Sequence, residues 1–272
     1  MSTDTTIVLI TGAAAGLGFA TVQALLESPA KSGKSWTVII TSRSAEKSNE
    51  AVQVLLKDAK LNGCEVVPTE LDLDNDDSVE RLVKQVKEKF GRVDVVVNNA
   101  CQHLDFPLRD GKLTTREAFN RAFNTNVTST HLFTQAFMPL LLASASPRLV
   151  FISSGISSLG AHSDMRIPIN LPPSAGWPKQ WTFNVTTYRT SKTAGNMMAL
   201  EWARLLKNDG VKVFLIDPGR LATGLGGEDP ASARKSGAGE PIDGGRLVKS
   251  VIEGDRDEDE GVLITKGGVI PW

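Results

Sequence analysis

Cysteine, histidine and tyrosine are all scarce in this chain. Two cysteines, Cys64 and Cys101, build no disulfide framework, and the three scattered histidines complete no metal-ligand cluster and are read as non-catalytic. Lysine and arginine number 30 against 31 acids, so no excess of positive charge marks a nucleic-acid footprint. The longest apolar run, around Phe137-Met138-Pro139-Leu140-Leu141-Leu142, is too short to cross a bilayer. The N-terminus lacks a charged segment followed by an apolar stretch and a cleavage site, and runs directly into Thr6-Ile7-Val8-Leu9-Ile10. These absences predict a soluble, cytoplasmic protein with neither nucleic acid nor membrane as partner. No Pro- or Gly-rich linker divides the 272 residues, which predicts one domain with a substantial core.

What is present alternates. Short β-branched runs predict strands near Thr6–Thr11, Trp36–Thr41, Cys64–Thr69, Val93–Asn98, Leu149–Ser153, Val211–Ile216 and Val262–Thr265. Several are apolar almost throughout, as strands covered on both faces are. Amphipathic helical stretches lie between them, near Gly16–Leu26, Ala45–Leu61, Ser78–Phe90, Arg116–Ala143, Tyr188–Lys207 and Gly244–Glu253. This alternation predicts an α/β fold of the Rossmann type, a doubly wound parallel sheet of about seven strands. Two segments lack a period. One is Leu159–Phe183, rich in proline and tryptophan; the other is Leu221–Pro241, rich in Gly, Ala and Ser. Both follow strand carboxyl ends, where open α/β sheets bind ligands, so they read as a substrate-loop insert (159–183) and a flexible lid (221–241).

Directly after the first strand stands Thr11-Gly12-Ala13-Ala14-Ala15-Gly16-Leu17-Gly18. Gly12 permits a tight turn, Gly16 a close backbone approach, and Gly18 close helix–sheet packing. Amides at the start of the following helix then face an anion, as in dinucleotide sites. The spacing is G-x-x-x-G-x-G, not the commoner G-x-G-x-x-G, and an ordinary βα turn is the plain rival. At the end of the second strand, where NAD-preferring enzymes place an acid, the chain reads Thr41-Ser42-Arg43-Ser44. Ser42 and Arg43 suit a 2′-phosphate, which favours NADP(H) over NAD(H). Ala15 supplies no second basic group.

The single tyrosine stands in Tyr188-Arg189-Thr190-Ser191-Lys192, one helical turn from Lys192. A free phenol titrates near pH 10, too high for proton transfer at neutral pH. A cation about 5 Å away at an effective dielectric near 20 is worth roughly 3 kcal/mol, about two pKa units. The pair therefore reads as a proton-transfer device, although Y-x-x-x-K alone is a common accident.

Taken in order, these motifs resemble the short-chain dehydrogenase/reductase family in its single-domain form, over essentially the whole chain. The set comprises the glycine turn, Asp72 after the third strand, Asn98-Asn99-Ala100 after the fourth and Asn126 on the long helix. Ser153-Ser154 after the fifth strand, Tyr188 with Lys192, and Pro218-Gly219 with Thr223 after the sixth complete it. The resemblance implies that Tyr188 exchanges a proton with a carbonyl oxygen and that Lys192 lowers the Tyr188 pKa and binds the nicotinamide ribose. It implies that Ser154, with Ser153 as its backup, holds the substrate oxygen, and that Asn126 holds a water joining Lys192 to solvent. The cofactor set implied is Thr11, Gly12, Gly16, Leu17, Gly18, Ser42, Arg43, Asp72, Leu73, Asn98, Ala100, Tyr188, Lys192, Pro218, Gly219, Leu221 and Thr223. Within it, Asp72 and the Leu73 backbone meet the adenine, while Leu221 and Thr223 hold the carboxamide. Asp94 reads as support for the sheet.

Two departures from the family pattern stand out. Cys101 occupies the usual glycine position after Asn-Asn-Ala, and residues 159–183 lengthen the stretch between Ser154 and Tyr188, as in carbonyl-reductase-like members. Trp177, Trp181 and Phe183 either wall the substrate pocket or form a satellite cluster. The expected activity is NADPH-dependent interconversion of a ketone and a secondary alcohol, with a bulky apolar or aromatic carbonyl compound as substrate. Arg166 and Lys179 leave a carboxylated one open. A redox-sensing regulator on the same fold, or a nucleotide-sugar epimerase or dehydratase, is the alternative. The two long helices offer a homodimer or homotetramer interface, with Phe133, Phe137 and Met138 as interface or core, and a monomer stays open. Residues 267–272 close over either the pocket or a partner subunit.

Overall fold

In a computed structural model, residues 5–28, 30, 33, 35–58, 63–179 and 184–272 are described. The strands are β1 (Thr5–Ile10), β2 (Ser35–Ser42), β3 (Glu65–Glu70), β4 (Val95–Asn98), β5 (Arg148–Ile152), β6 (Lys212–Ile216), β7 (Leu263–Thr265) and β8 (Gly268–Ile270). Their order in the sheet is β3-β2-β1-β4-β5-β6-β7-β8, parallel except for the antiparallel β7–β8 pair. The doubly wound parallel sheet is thus present. Its count is eight, because the Lys266–Gly267 turn folds Gly268–Ile270 back onto β7. Strand order reverses between β1 and β4, and that crevice is where such a sheet binds ligands.

Alternation along each strand sends side chains to two cores. Val8, Ile10, Val38 and Ile40 fill one face under α1 (Gly16–Leu26), α2 (Ala45–Asp58) and α10 (Pro241–Ile252). Ile7, Leu9, Ile39 and Val96 fill the other, together with Phe133, Phe137 and Trp202. That second layer comprises α3 (Asp76–Phe90), α6 (Thr130–Leu142) and α8 (Thr186–Leu206). Each such buried side chain contributes roughly 1.5–3 kcal/mol. Phe133 and Phe137 are therefore core of this chain. The expected helix over 45–61 is described as far as Asp58, and residues 59–62 lie outside the described set.

Local chemistry sets the element ends. After β3 the cap of α3 is the amide Asn75 and none of the neighbouring acids: its side chain accepts from the Ser78 amide, with Asp76 and Asp77 in the first turn of α3. Asp94 supports the sheet as expected, accepting from the Ile7 amide at 2.8 Å, from Arg92 and from the Ser144 hydroxyl. The single helix expected over 116–143 is three pieces: α5 (Thr115–Phe123), a π-helical turn at Asn124–Ser129, and α6. Threonine, asparagine and serine side chains bonding locally displace the α pattern there; the Thr130 hydroxyl, for example, donates to the Thr125 carbonyl at 2.9 Å.

Both aperiodic segments contain short regular elements among the described residues. The first holds α7 (Leu159–His162) and a 3₁₀ turn at Pro168–Asn170. The second holds α9 (Pro230–Lys235), capped by Asp229. It is tied down by Arg220–Glu228 and Arg234–Glu240 ion pairs and by a Leu221–Gly239 bridge. Short α4 (Asp105–Arg109) completes the helices named here.

Candidate active site

The glycine turn forms as expected, and Gly12 and Gly16 take positive φ of 66° and 57°. A Cβ on Gly18 would lie 2.8 Å from both Ala13 Cα and the Gly12 carbonyl oxygen. The turn is locked to β4 by residues that composition does not flag. The Thr11 hydroxyl oxygen accepts the amides of Asn99 and Ala100, each at 2.9 Å, and Asn99 Nδ2 donates to the Thr11 carbonyl at 2.7 Å. At the start of α1, Ala15 offers no capping side chain, so the helix amides face open space. Uncapped amides beside a glycine cradle fit the diphosphate of a dinucleotide.

A cavity of about 810 Å³ runs from this turn to Tyr188. At the end beside β2 and β3 stand Arg43, Asp72 and Leu73, and also Lys47, a second cation in the first turn of α2 that the sequence reading missed. The Ser42 hydroxyl differs from expectation. It donates to the Ser44 carbonyl at 2.6 Å and pairs with the Ser48 hydroxyl, so local turn geometry consumes it. Asn98 points away from the cavity; its Nδ2 donates to Thr134 at 2.9 Å.

At the other end, Ser154 and the Tyr188 phenol stand side by side in the cavity wall. Ser153 is turned inward, held by Asn196 and Ser157. Tyr188 is 8 % exposed, and burial pushes its hydroxyl well above the usual value. Nearby Cys101 and Asp217 add to that rise, while the neighbouring Ser154 hydroxyl opposes it. The expected lowering by Lys192 is thus not met in the chain alone. Lys192 Nζ lies 5.7 Å from the phenol ring centroid and donates to the Ile152 carbonyl at 2.8 Å, and loss of water dominates. Asn126 sits in the π turn, where its side chain bonds the Gln102 backbone and Ser191. Beside it a cavity of about 20 Å³ is lined by Asn98, Asn126 and Lys192, and Asn98 Oδ1 has no partner.

Three further groups meet here that the sequence did not single out. Asp105 on α4 accepts the Thr187 and Tyr188 amides, each at 2.9 Å, and so caps α8 from a distant part of the chain. Asp217 lines the cavity, and burial raises its carboxyl above the ordinary range against hydrogen bonds from the Gly219 and Gly155 amides. His103, one of the supposedly scattered histidines, stacks on Tyr188 with ring centroids 4.5 Å apart.

Of the three aromatic residues expected as an apolar wall, Trp177 does not take part. Trp177 is 87 % exposed and stands away from the cavity, because the proline-flanked loop carrying it turns to solvent. Trp181 and Phe183 lie outside the described residues. Ile156, Ile167, Ile169, Val185 and Leu225 line the space instead. Ile270 joins them, since the Pro271 and Trp272 carbonyls accept from the Ser158 hydroxyl and the Gly160 amide. The 267–272 segment therefore closes over the chain's own pocket. Arg166 pairs with Asp164 and Lys179 donates to the Ser174 carbonyl, both outside the cavity.

A sequence model of the short chain dehydrogenase family matches residues 6–164. The chain is similar to the short-chain dehydrogenase/reductase eupG of a Phoma species, with 42% identity covering 98% of this chain and 97% of that one. It is also 38% identical to the short-chain dehydrogenase/reductase tropE of Talaromyces stipitatus, over 98% and 97% of the two chains. Among solved structures, an NADPH-bound carbonyl reductase from chicken fatty liver superposes with a TM-score of 0.72 at 22% identity, covering 97% and 98%.

Proposed function

Because this chain belongs to the short-chain dehydrogenase/reductase family, whose members are oxidoreductases, we propose that it interconverts a ketone and a secondary alcohol with NADP(H). The observation that carries this reading is one cavity joining the uncapped glycine turn to the Ser154–Tyr188 pair. When bound, the nicotinamide dinucleotide supplies the hydride. Gly12, Gly16 and Leu17 would cradle its diphosphate, with Thr11 and Gly18 shaping the turn behind them, and Asp72 and Leu73 would flank the adenine. Pro218, Gly219, Leu221 and Thr223 would hold the carboxamide end; a Cβ on Gly16 would sit 3.3 Å from Thr223 Cβ, so the two loops meet across the groove. Exposed Arg43 and Lys47 favour a 2′-phosphate over a bare ribose hydroxyl.

In reduction, Ser154 holds the carbonyl oxygen and Tyr188 gives it a proton from Oη. A phenol kept protonated by burial is loaded for that direction. Replenishment runs through Lys192 to a water in the 20 Å³ cavity, where the free Asn98 Oδ1 and the Asn126 turn provide partners. The aliphatic wall selects a bulky apolar or aromatic carbonyl compound. The cytoplasm suits two free thiols, Cys64 and Cys101. Exposed Leu132, Met197 and Leu205 on the long helices supply an apolar face for a homodimer or homotetramer. Residues 159–179 and 221–241 serve as substrate loop and lid.

The test is a panel of ketones followed by NADPH absorbance with wild type and Tyr188→Phe. Turnover should fall about 10²–10⁴-fold in the variant while NADPH binding persists. Undiminished turnover removes the mechanism, and tight NADPH binding with no turnover of any carbonyl compound returns the regulator reading.

A further inference from the structure

The cavity wall holds a nitrogen that the proposed proton and hydride transfers do not use. His103 stacks on Phe106, with centroids 5.0 Å apart and planes 7° apart, and on Tyr188, at 4.5 Å and 18°. Its side chain is 10 % exposed and lines the cavity. Nδ1 is buried without a hydrogen-bond partner, 3.7 Å from Asp105 Oδ2. Burial holds the imidazole below its usual pKa against the opposing charge of Asp105, so the ring is neutral at pH 7. A proton on Nδ1 then faces the carboxylate and leaves the Nε2 lone pair as an acceptor.

That acceptor has no role toward Tyr188. Stacked rings cannot exchange a proton, because a hydrogen bond needs the two groups edge-on at roughly 3 Å. Its use must lie with whatever fills the cavity. Two near-parallel rings in contact bring the imidazole edge close to the phenol edge, so a group met by Nε2 stands near the carbonyl held by Tyr188. The stack also extends the aliphatic wall as a flat aromatic face, which favours a planar substrate.

We propose that His103 is a specificity-determining residue: its Nε2 accepts a hydrogen bond from a ring hydroxyl near the reacting carbonyl of an aromatic ketone. The substrate class is therefore hydroxylated aromatic ketones. This assignment rests on the ketone-reductase reading, and the experiment separates the two. Substrates are 1-tetralone and its monohydroxylated ring isomers, assayed with NADPH against wild type, His103→Phe and His103→Gln. His103→Phe keeps a flat ring and deletes both nitrogens; His103→Gln keeps a polar atom near the Nε2 position.

Wild type should prefer at least one hydroxylated isomer over the parent ketone by about tenfold in kcat/KM, the size of one hydrogen bond in a dry site. H103F should lose that preference through KM, its effect on the hydroxylated isomer exceeding any effect on the parent ketone, with NADPH binding retained, and H103Q should keep part of it. Calorimetric Kd values for the preferred isomer, measured with NADP⁺ present, should weaken by the same factor in H103F. If H103F does not fold, as judged by lost NADPH binding, H103Q decides alone: a retained part of the preference supports the assignment and its complete loss overturns it. Equal loss on parent and hydroxylated ketones in H103F, an unchanged preference in it, or no preference in wild type overturns the role of His103 and leaves the reductase reading standing. Absence of Tyr188-dependent turnover on every ketone, parent included, sinks both.

Discussion

The Asp105 carboxylate accepts the backbone N–H of Tyr188 at 2.9 Å, so the proposed acid is fixed by its main chain as well as by its ring. Asp105 also accepts the Thr187 amide and is only 3 % exposed on its side chain. Val185, at the formal cap position of α8, offers no capping side chain; Asn184 accepts the Thr186 amide, and this carboxylate satisfies the next two. Asp105→Ala should therefore destabilise the fold by about 2 kcal/mol, the worth of a lost cap with two buried amides left open. Chemical denaturation measures the stability. Turnover should fall further than NADPH affinity, since Asp105 bonds the backbone of Tyr188 and not the glycine turn, and Asp105→Asn should recover part of both losses.

A sign of the buried acid near the phenol should appear in stability against pH. Asp217 has its folded pKa raised, mainly by burial, so the native state holds a proton there longer than the unfolded chain. Its stabilising contribution is complete below the ordinary aspartate pKa of about 3.8 and declines as pH rises through the raised folded value. Asp217→Asn should raise the melting temperature at pH 8 and change it little at pH 4. A variant equally stabilised, or destabilised, at both pH values contradicts this account.

Cofactor choice depends on two exposed cations. Arg43→Ala and Lys47→Ala should each weaken NADPH binding by about tenfold with little effect on NADH, as expected for lost charge-assisted contacts to a phosphate. Kd values from fluorescence titration with both cofactors measure this. Equal effects on NADPH and NADH would place the two side chains outside the 2′-phosphate site.

Trp177 supplies a control. At 87 % exposure its replacement by Ala should alter stability by less than about 0.5 kcal/mol and leave the ketone preference unchanged. A strong loss of activity would mean that the loop folds inward in the working enzyme.

Local periodicity made most of the sheet readable from sequence. Apolar runs such as Thr6–Ile10 and Trp36–Ile40 have one plausible home, a strand covered on both sides, and both are strands. The glycine turn and Tyr188–Lys192 were readable because each is a contiguous motif. Asp105, His103 and Asp217 were not. Their importance arises from contacts such as Asp105 to Thr187, 82 positions apart, and no short-range pattern encodes that. Lys47 was missed for a different reason: it joins Arg43 at the cavity only because it falls in the first turn of α2, next to the end of β2. Trp177 misled because hydrophobicity alone does not fix direction. Proline-rich chain around Trp177 sends it outward, while modest isoleucines at 156, 167 and 169 face the cavity.

The stitch between the 158–160 turn and the carbonyls of Pro271 and Trp272 joins segments far apart in sequence, 113 positions for Ser158 and Pro271. Ile270 is held against the cavity through those bonds, so loosening the 158–160 turn would also shift a wall residue contributed from a distant part of the chain.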